Sequence, residues 1–288
     1  MILKAEAKIN ISLDVTGLRE DGYHLVSMVM QSLKLHDKVG LRAYIGRPGI
    51  SFSTNVPFLP SDDKNLAIRA AELLMEEFEV RDGLEIELEK NIPVAAGLGG
   101  GSADAAAVLS GVNRLFHLGL SPEELRQRGL SIGADVPFCL MRGTALAEGI
   151  GEKLTPMRAM PACGILLAKP VFGASTKNIY KSYDALTEVL HPDTEKLCCA
   201  FEEGNLEGIA SHMVNVLENV TGGRFDMIGR LENAMKTCGA LGSMMTGSGP
   251  TVFGIYRTKA EAAEAARTMK REFRDVRFVV TEPLKGRR

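Results

Sequence analysis

Apolar and polar residues alternate without a break from position 5 to position 15. Ala5, Ala7, Ile9, Ile11, Leu13 and Val15 fall on one side, and Glu6, Lys8, Asn10, Ser12 and Asp14 on the other. A period of two reads as a strand with one buried face. Lys8 and Asn10 are neighbours on the polar face, where a lone lysine is ordinarily solvated. Further strands are expected near 26–35, 38–45 and 84–89. The period then becomes helical: Leu66, Ala70, Leu73, Leu74 and Phe78 recur along 65–78, with Ser61 to Asp63 as cap candidates. A second helix is expected from about Ser102 to Phe116, and Ser121-Pro-Glu-Glu124 is a capping box that opens a third. Strands first and helices layered on one face afterwards predict an α+β fold rather than alternating βαβ units.

Gly149, Gly151, Pro156 and Pro161 interrupt the pattern, which predicts two domains, 1–155 and 156–288. Beyond the break a strand is expected at 164–168, helices near 175–186, 205–219 and 225–237, and strands at 241–246 and 251–256. A charged helix at 259–273 and a strand at 276–281 complete a ferredoxin-like order.

Composition narrows the partners. At 288 residues, with 45% hydrophobic and 24% charged residues, the chain has the make-up of a globular protein. A net charge of −2 gives no reason to expect nucleic acid or an anionic membrane as partner. The five cysteines show no C-x-x-C spacing, which fits reduced thiols in the cytoplasm. The five histidines lie far apart and no H-E-x-x-H is present, so a zinc site is not expected. No run of about 18 apolar residues exists, so no membrane span is expected. Oligomeric state is not legible.

The chemistry concentrates in Pro93-Val94-Ala95-Ala96-Gly97-Leu98-Gly99-Gly100-Gly101-Ser102-Ala103. Four glycines in five positions let the backbone bend and let a bulky anion approach its N–H groups. The Ala-rich helix that follows aims its unpaired N–H groups and positive dipole end at the same place. Phosphates of a nucleotide suit such a pocket. A Rossmann fingerprint would need glycine where Ser102 stands, and a Walker A loop would need a Gly-Lys pair that the chain lacks. The competing reading is a glycine-rich turn before a well-packed helix.

Three other segments carry candidates. Asp135, in Gly133-Ala-Asp-Val-Pro-Phe138, is an acid among small and apolar neighbours, suited to a catalytic carboxylate or to a turn cap before Pro137. Thr246-Gly-Ser-Gly-Pro-Thr-Val-Phe253 lies between two expected strands and reads as a tight hairpin that could also meet phosphate. In Gly22-Tyr23-His24 the two rings could stack on a base or pack within the protein.

Taken in order, these segments resemble the GHMP kinase superfamily, in which Pro-x-x-x-Gly-Leu-Gly-Ser/Gly-Ser is the ATP phosphate loop. The likeness runs through Ala7-Lys-Ile-Asn-Ile-Ser-Leu13, Arg19-Glu-Asp-Gly-Tyr-His24, Asp63-Lys-Asn-Leu66, the glycine loop, Gly133–Phe138 and Gly247–Phe253. It implies a two-domain GHMP kinase fold, with a ribosomal-S5-like N-terminal and a ferredoxin-like C-terminal domain. It also implies ATP as co-substrate with Mg²⁺. The implied reaction phosphorylates the 2-hydroxyl of a cytidine-diphosphate-linked methylerythritol in non-mevalonate isoprenoid synthesis. By this resemblance Asp135 matches the catalytic base and Lys8 its charged partner. Asn65 falls where the family contacts adenine, Asn10 near the substrate, and Tyr23, His24 and Tyr180 at the cytosine. Asp104 departs from relatives that carry Asn there and would put a second negative charge near the phosphates. Thr246 replaces a smaller residue, a change expected to matter little. Two alternatives stay open: a superfamily kinase of homoserine or mevalonate type, and a non-catalytic nucleotide-binding sensor. Gly22-Tyr23-His24 and the Lys8/Asn10 strand weigh against the first, and the presence of both Lys8 and Asp135 against the second.

Overall fold

The computed structural model describes residues 1–186, 188–220 and 226–286. They form two compact units that interleave along the chain. One comprises Met1–Ala7, Leu35–Pro93 and Gly99–Arg142, and the other Lys8–Lys34, Val94–Leu98 and Gly143–Arg288. Strands β1 (Ile2–Asn10) and β3 (His24–Tyr44) each give residues to both units.

In the first unit β5 (Gly83–Glu89) lies between β3 and β4 (Gly49–Thr54), antiparallel to β3 and parallel to β4. Helices α1 (Leu66–Glu77), α2 (Gly100–Leu115), α3 (Pro122–Ile132) and α4 (Val136–Met141) cover this sheet. Val39, Leu41, Leu84, Ile86 and Leu88 meet Ala67, Ala70, Leu74, Ala103, Ala106 and Val108 in one buried core. The small residues of α2 let it come close: a Cβ on Gly111 would fall 2.2 Å from Leu41 Cδ1. The capping box of α3 forms as expected, with Ser121 Oγ accepting from Glu124 N and Glu124 Oε2 from Ser121 N.

Two strands were expected where β3 runs unbroken through 36–37. No breaker stands there, and Asp37 is buried with its carboxylate bound to backbone N–H groups and Lys90. In the second unit β2 (Asp14–Leu18) and β6 (Thr144–Gly149) pair with the first half of β3, and β7 (Lys153–Pro156) pairs with β6. Gly149 and Gly151 are therefore the turn of a hairpin, which the expected elements did not include.

The remainder of this unit follows strand–helix–strand–strand–helix–strand order. Its elements are β8 (Gly164–Pro170), α5 (Thr176–Tyr183), α6 (Thr194–Glu203), α7 (Leu206–Ser211), α8 (Asp226–Thr237), β9 (Gly242–Met245), β10 (Val252–Tyr256), α9 (Lys259–Glu272) and β11 (Val276–Thr281). The sheet order β11-β8-β10-β9, antiparallel throughout, is the expected ferredoxin-like arrangement. The helix expected over 205–219 stops at Ser211, and α6 was not foreseen. Phe225, the expected first residue of α8, lies outside the described residues. Among the described residues no helix is long and apolar enough to cross a membrane.

Candidate active site

In the first unit the glycine run becomes the start of α2. Gly99 holds the N-cap position in the left-handed region (φ 66°, ψ 18°), and its carbonyl accepts from Ala103 N at 2.8 Å. The helix begins at Gly100, two residues earlier than expected, so Gly101 and Ser102 lie in its first turn. Added as probes, a Cβ on Gly101 would lie 3.6 Å from Leu66, and one on Gly133 3.9 Å from Ser102 Oγ. Leu66, Gly101, Ser102 and Gly133 are thus neighbours, with Asp135 two residues beyond. Asp135 occupies the N-cap position of α4, but its carboxylate makes no capping hydrogen bond. Only its carbonyl enters the helix ladder, accepting from Cys139 N at 3.0 Å.

Asn65, rather than Ser61–Asp63, caps α1. Its Oδ1 accepts from Ala67 N at 3.0 Å and its Nδ2 donates to Pro60 O at 2.8 Å. The expectation for Asp104 also needs correction. Its Oδ2 binds Lys90 Nζ at 2.6 Å in a buried cluster with Asp37. Burial pushes the Asp104 carboxyl up to about 8, against the pull of Lys90 and with that of Asp37.

In the second unit the polar face of β1 is not solvated. Lys8 is 5% exposed and Asn10 and Ser12 are fully buried. Lys8 Nζ donates to Asn10 Oδ1 at 2.9 Å, and Lys8 N to Leu98 O at 2.9 Å. Asn10 N donates to Thr246 Oγ1 at 3.0 Å, and Asn10 Nδ2 contacts Met28 Sδ at 3.0 Å. The hydroxyl of Thr246 therefore carries a buried backbone hydrogen bond. A Cβ on Gly247 would fall 3.4 Å from Asn10 Oδ1 and 3.7 Å from Lys8 Nζ, so the hairpin lies directly on this pair.

The same hairpin receives the bend that precedes α2. Pro93 closes the first unit's segment, and Val94 leads into Ala95 and Gly97, which take left-handed angles of 50° and 74°. Ala96 and Leu98 are buried. Asn215 Nδ2 holds the hairpin through Met245 O at 2.9 Å and Gly247 O at 2.8 Å. Ser248 Oγ meets Thr176 Oγ1 at 2.8 Å on the first turn of α5.

Helix α5 also carries Tyr180, whose ring packs against that of His24 with centroids 4.7 Å apart and planes tilted by 35°. His24 Nε2 is fixed by Asp184 Oδ1 at 2.6 Å, and Tyr23 beside it is 60% exposed. Asn10, Lys8, the bend 94–98 and the 246–251 hairpin thus come together, as do His24 and Tyr180. Asn215, Thr176 and Asp184 were not singled out as candidates, since each reaches the site through a contact that no local spacing announces, whereas Ser248 lies in the 246–253 segment already named.

The family models match in two places. The model for "GHMP kinases N terminal domain" covers residues 65–143, and that for "GHMP kinases C terminal" covers 199–275. The chain belongs to the GHMP kinase family. Its α+β architecture is the two-domain fold of these kinases, ribosomal-S5-like and then ferredoxin-like. A 4-diphosphocytidyl-2-C-methyl-D-erythritol kinase of Clostridium botulinum (strain Eklund 17B / Type B) is 48% identical over 96% of this chain and 98% of its own length. A protein of the same name from Caldicellulosiruptor saccharolyticus is 46% identical over 98% of this chain and 97% of its own. A crystal structure of 4-(cytidine 5'-diphospho)-2C-methyl-D-erythritol kinase superposes with a TM-score of 0.85 at 30% identity, covering 99% of this chain and all of that one. The chain is an enzyme, a small-molecule kinase, and as a GHMP kinase it is expected to use ATP as co-substrate.

Proposed function

We propose that this chain transfers the γ-phosphoryl group of ATP to the 2-hydroxyl of 4-diphosphocytidyl-2-C-methyl-D-erythritol. The observation that carries this reading is a series of contacts in the second unit. It begins at the buried Lys8–Asn10 pair, passes over Gly247 and Ser248 to Thr176, and ends at Tyr180 packed against His24. One end offers a buried cation beside an amide for a reacting hydroxyl. The other offers an aromatic face for a base, with a histidine whose ring is already fixed by Asp184. The relatives named for the cytidine-linked substrate match nearly all of the chain. The family models fall on either side of residue 155, which supports an ATP-binding domain at 1–155 and a C-terminal domain at 156–288.

In this reading Asp135, at the N-cap position of α4, takes the proton of the attacking hydroxyl. Lys8 holds negative charge near the reacting oxygen, with Asn10 Oδ1 fixing its ammonium. Backbone N–H groups within 97–102 hold the phosphates, and Asn65 frames the adenine. Tyr23, His24 and Tyr180 hold the cytosine. Mg²⁺ commonly takes one or two protein oxygens and fills its octahedron with phosphates and waters. The Ser102 hydroxyl, beside the 133–135 segment, suits that kind of ion. Among the described residues no group of three or more His, Cys, Asp or Glu collects. When bound, Mg²⁺ would supply positive charge that offsets the negative charge on the transferring group, with the Ser102 hydroxyl as the candidate protein donor.

The test is incubation of the purified chain with γ-labelled ATP and, separately, the cytidine-linked methylerythritol, homoserine or mevalonate. Label is expected only on the first, as a phosphomonoester at the 2-position by phosphorus NMR. Transfer to either of the others instead, or to none, overturns the proposal.

A further inference from the structure

One buried ionic cluster in the first unit has no part in the chemistry above. Lys90 Nζ binds Asp104 Oδ2 at 2.6 Å and also pairs with Asp37, and the three side chains are 5%, 5% and 0% exposed. Asp37 Oδ1 accepts from the backbone N–H of both Asn91 and Ile92, the latter at 2.8 Å. Residues 90–92 directly precede Pro93, and Asp104 directly follows Ala103. The cluster therefore grips the chain on both sides of the 93–103 segment. It also lies against the segment itself: a Cβ on Gly100 would fall 3.3 Å from Lys90 Nζ and 3.2 Å from Ile92 Cγ2.

Two acid groups around one ammonium are one more than a one-to-one pair needs in a dry interior, where each ion loses its hydration. Folding stability alone is served as well by a one-to-one pair. Asp37 already has three donors from residues 90–92, whereas Asp104 Oδ1 is buried with no hydrogen-bond partner. What Asp104 adds is its place on α2, since it is the contact that ties that helix to Lys90. A loop that binds phosphate through backbone N–H groups works only while those groups stay aimed at one point.

We propose that Asp104, through Lys90 and Asp37, is a positioning residue that ties the two ends of the glycine segment together and so sets its affinity for ATP phosphates. The inference rests on the placement of ATP at 97–102 proposed above. Loss of Asp104 leaves a balanced Lys90–Asp37 pair, so the fold should survive while the tie is cut.

The test compares Asp104→Ala with Asp104→Asn in the full chain. Asp104→Ala is expected to raise KM for ATP about tenfold, with KM for the acceptor within twofold of wild type. Asp104→Asn keeps an acceptor oxygen for Lys90 and should restore most of the loss. A purely structural role would lower thermal stability and impair both substrates together. The inference is overturned by an Asp104→Ala enzyme with unchanged KM for ATP. It is overturned equally by parallel loss for both substrates, or by an Asn variant as impaired as Ala. Failure of the wild-type chain to bind ATP would instead overturn the ATP site itself.

Discussion

Gly97 and Gly101 lie four residues apart, one in the bend and one in the first turn of α2, and alanine at the two positions should act in opposite directions. Gly97 has φ +74°, and a Cβ there would fall 2.5 Å from Thr246 O and 3.1 Å from Gly249 O, both backbone atoms that cannot rotate away. The left-handed conformation costs an L-residue roughly 1–2 kcal/mol. Overlap with fixed backbone adds about 1–3 kcal/mol. Gly97→Ala should therefore destabilise by about 2–5 kcal/mol, which corresponds to roughly 4–20 °C in Tm for a chain of this size. Gly101 is helical, exposed, and a Cβ there meets only Leu66 Cδ1 at 3.6 Å. Gly101→Ala should leave Tm unchanged or raise it, by up to about 1 kcal/mol of helix propensity. The same methyl group stands over the first turn of α2, where the phosphates are proposed to approach. KM for ATP should then rise by about tenfold or more, since a misplacement of about 1 Å can cost 10²-fold. Thermal melts and a coupled kinase assay on both variants separate the two effects. A Gly97→Ala protein that melts with wild type refutes the steric argument, and a Gly101→Ala enzyme with wild-type KM for ATP refutes the phosphate placement.

Three further outcomes follow from single contacts. Thr246→Ala strips the buried N–H of Asn10 of its acceptor and should cost about 1–3 kcal/mol in denaturant melts, with Thr246→Ser restoring most of it. Tyr180→Ala removes the ring packed against His24 and should raise KM for the cytidine substrate, since base stacking is worth about 1–3 kcal/mol. KM for ATP should not move. Burial beside Glu232 pushes the Glu218 carboxyl from 4.5 up to about 9, so the folded chain holds a proton there that the unfolded chain releases. The stability Glu218 contributes is present below pH 4.5 and lost as pH rises through about 9. Glu218→Gln should accordingly gain on wild type in melts between those limits, and a constant difference across that range would remove Glu218 as the titrating group.

The parts of this fold that were readable are those whose cause is local. Ser121 and Glu124 satisfy one another within three residues, and the spacing announced α3 without help from the rest of the chain. The ferredoxin-like order was readable because each of its strands is a short apolar run bounded by turn formers. The alternation over 5–15 placed Lys8 and Asn10 on one face but not what covers it. That cover is Met28, Leu98 and Thr246, the last 236 residues away from Asn10. Gly149 and Gly151 looked like an interruption because glycine serves a hairpin turn and a linker equally well. Helix α6 is a different kind of miss, since Asp193 caps it and Gly204 ends it in the left-handed conformation. Those are ordinary start and stop signals. In the Asp37–Lys90–Asp104 cluster the Asp37–Lys90 pair alone joins positions 53 residues apart, and no periodicity connects them.

The most direct test of the chemistry is the turnover of Asp135→Asn in the labelled-ATP assay with the cytidine-linked methylerythritol. The substitution keeps the size of the side chain and removes its capacity to accept a proton. A positioned general base is worth roughly 10²–10⁴-fold, so kcat should fall by about that factor while ATP affinity stays as in wild type. Turnover within a few-fold of wild type would contradict the assignment of Asp135 as the group that takes the hydroxyl proton.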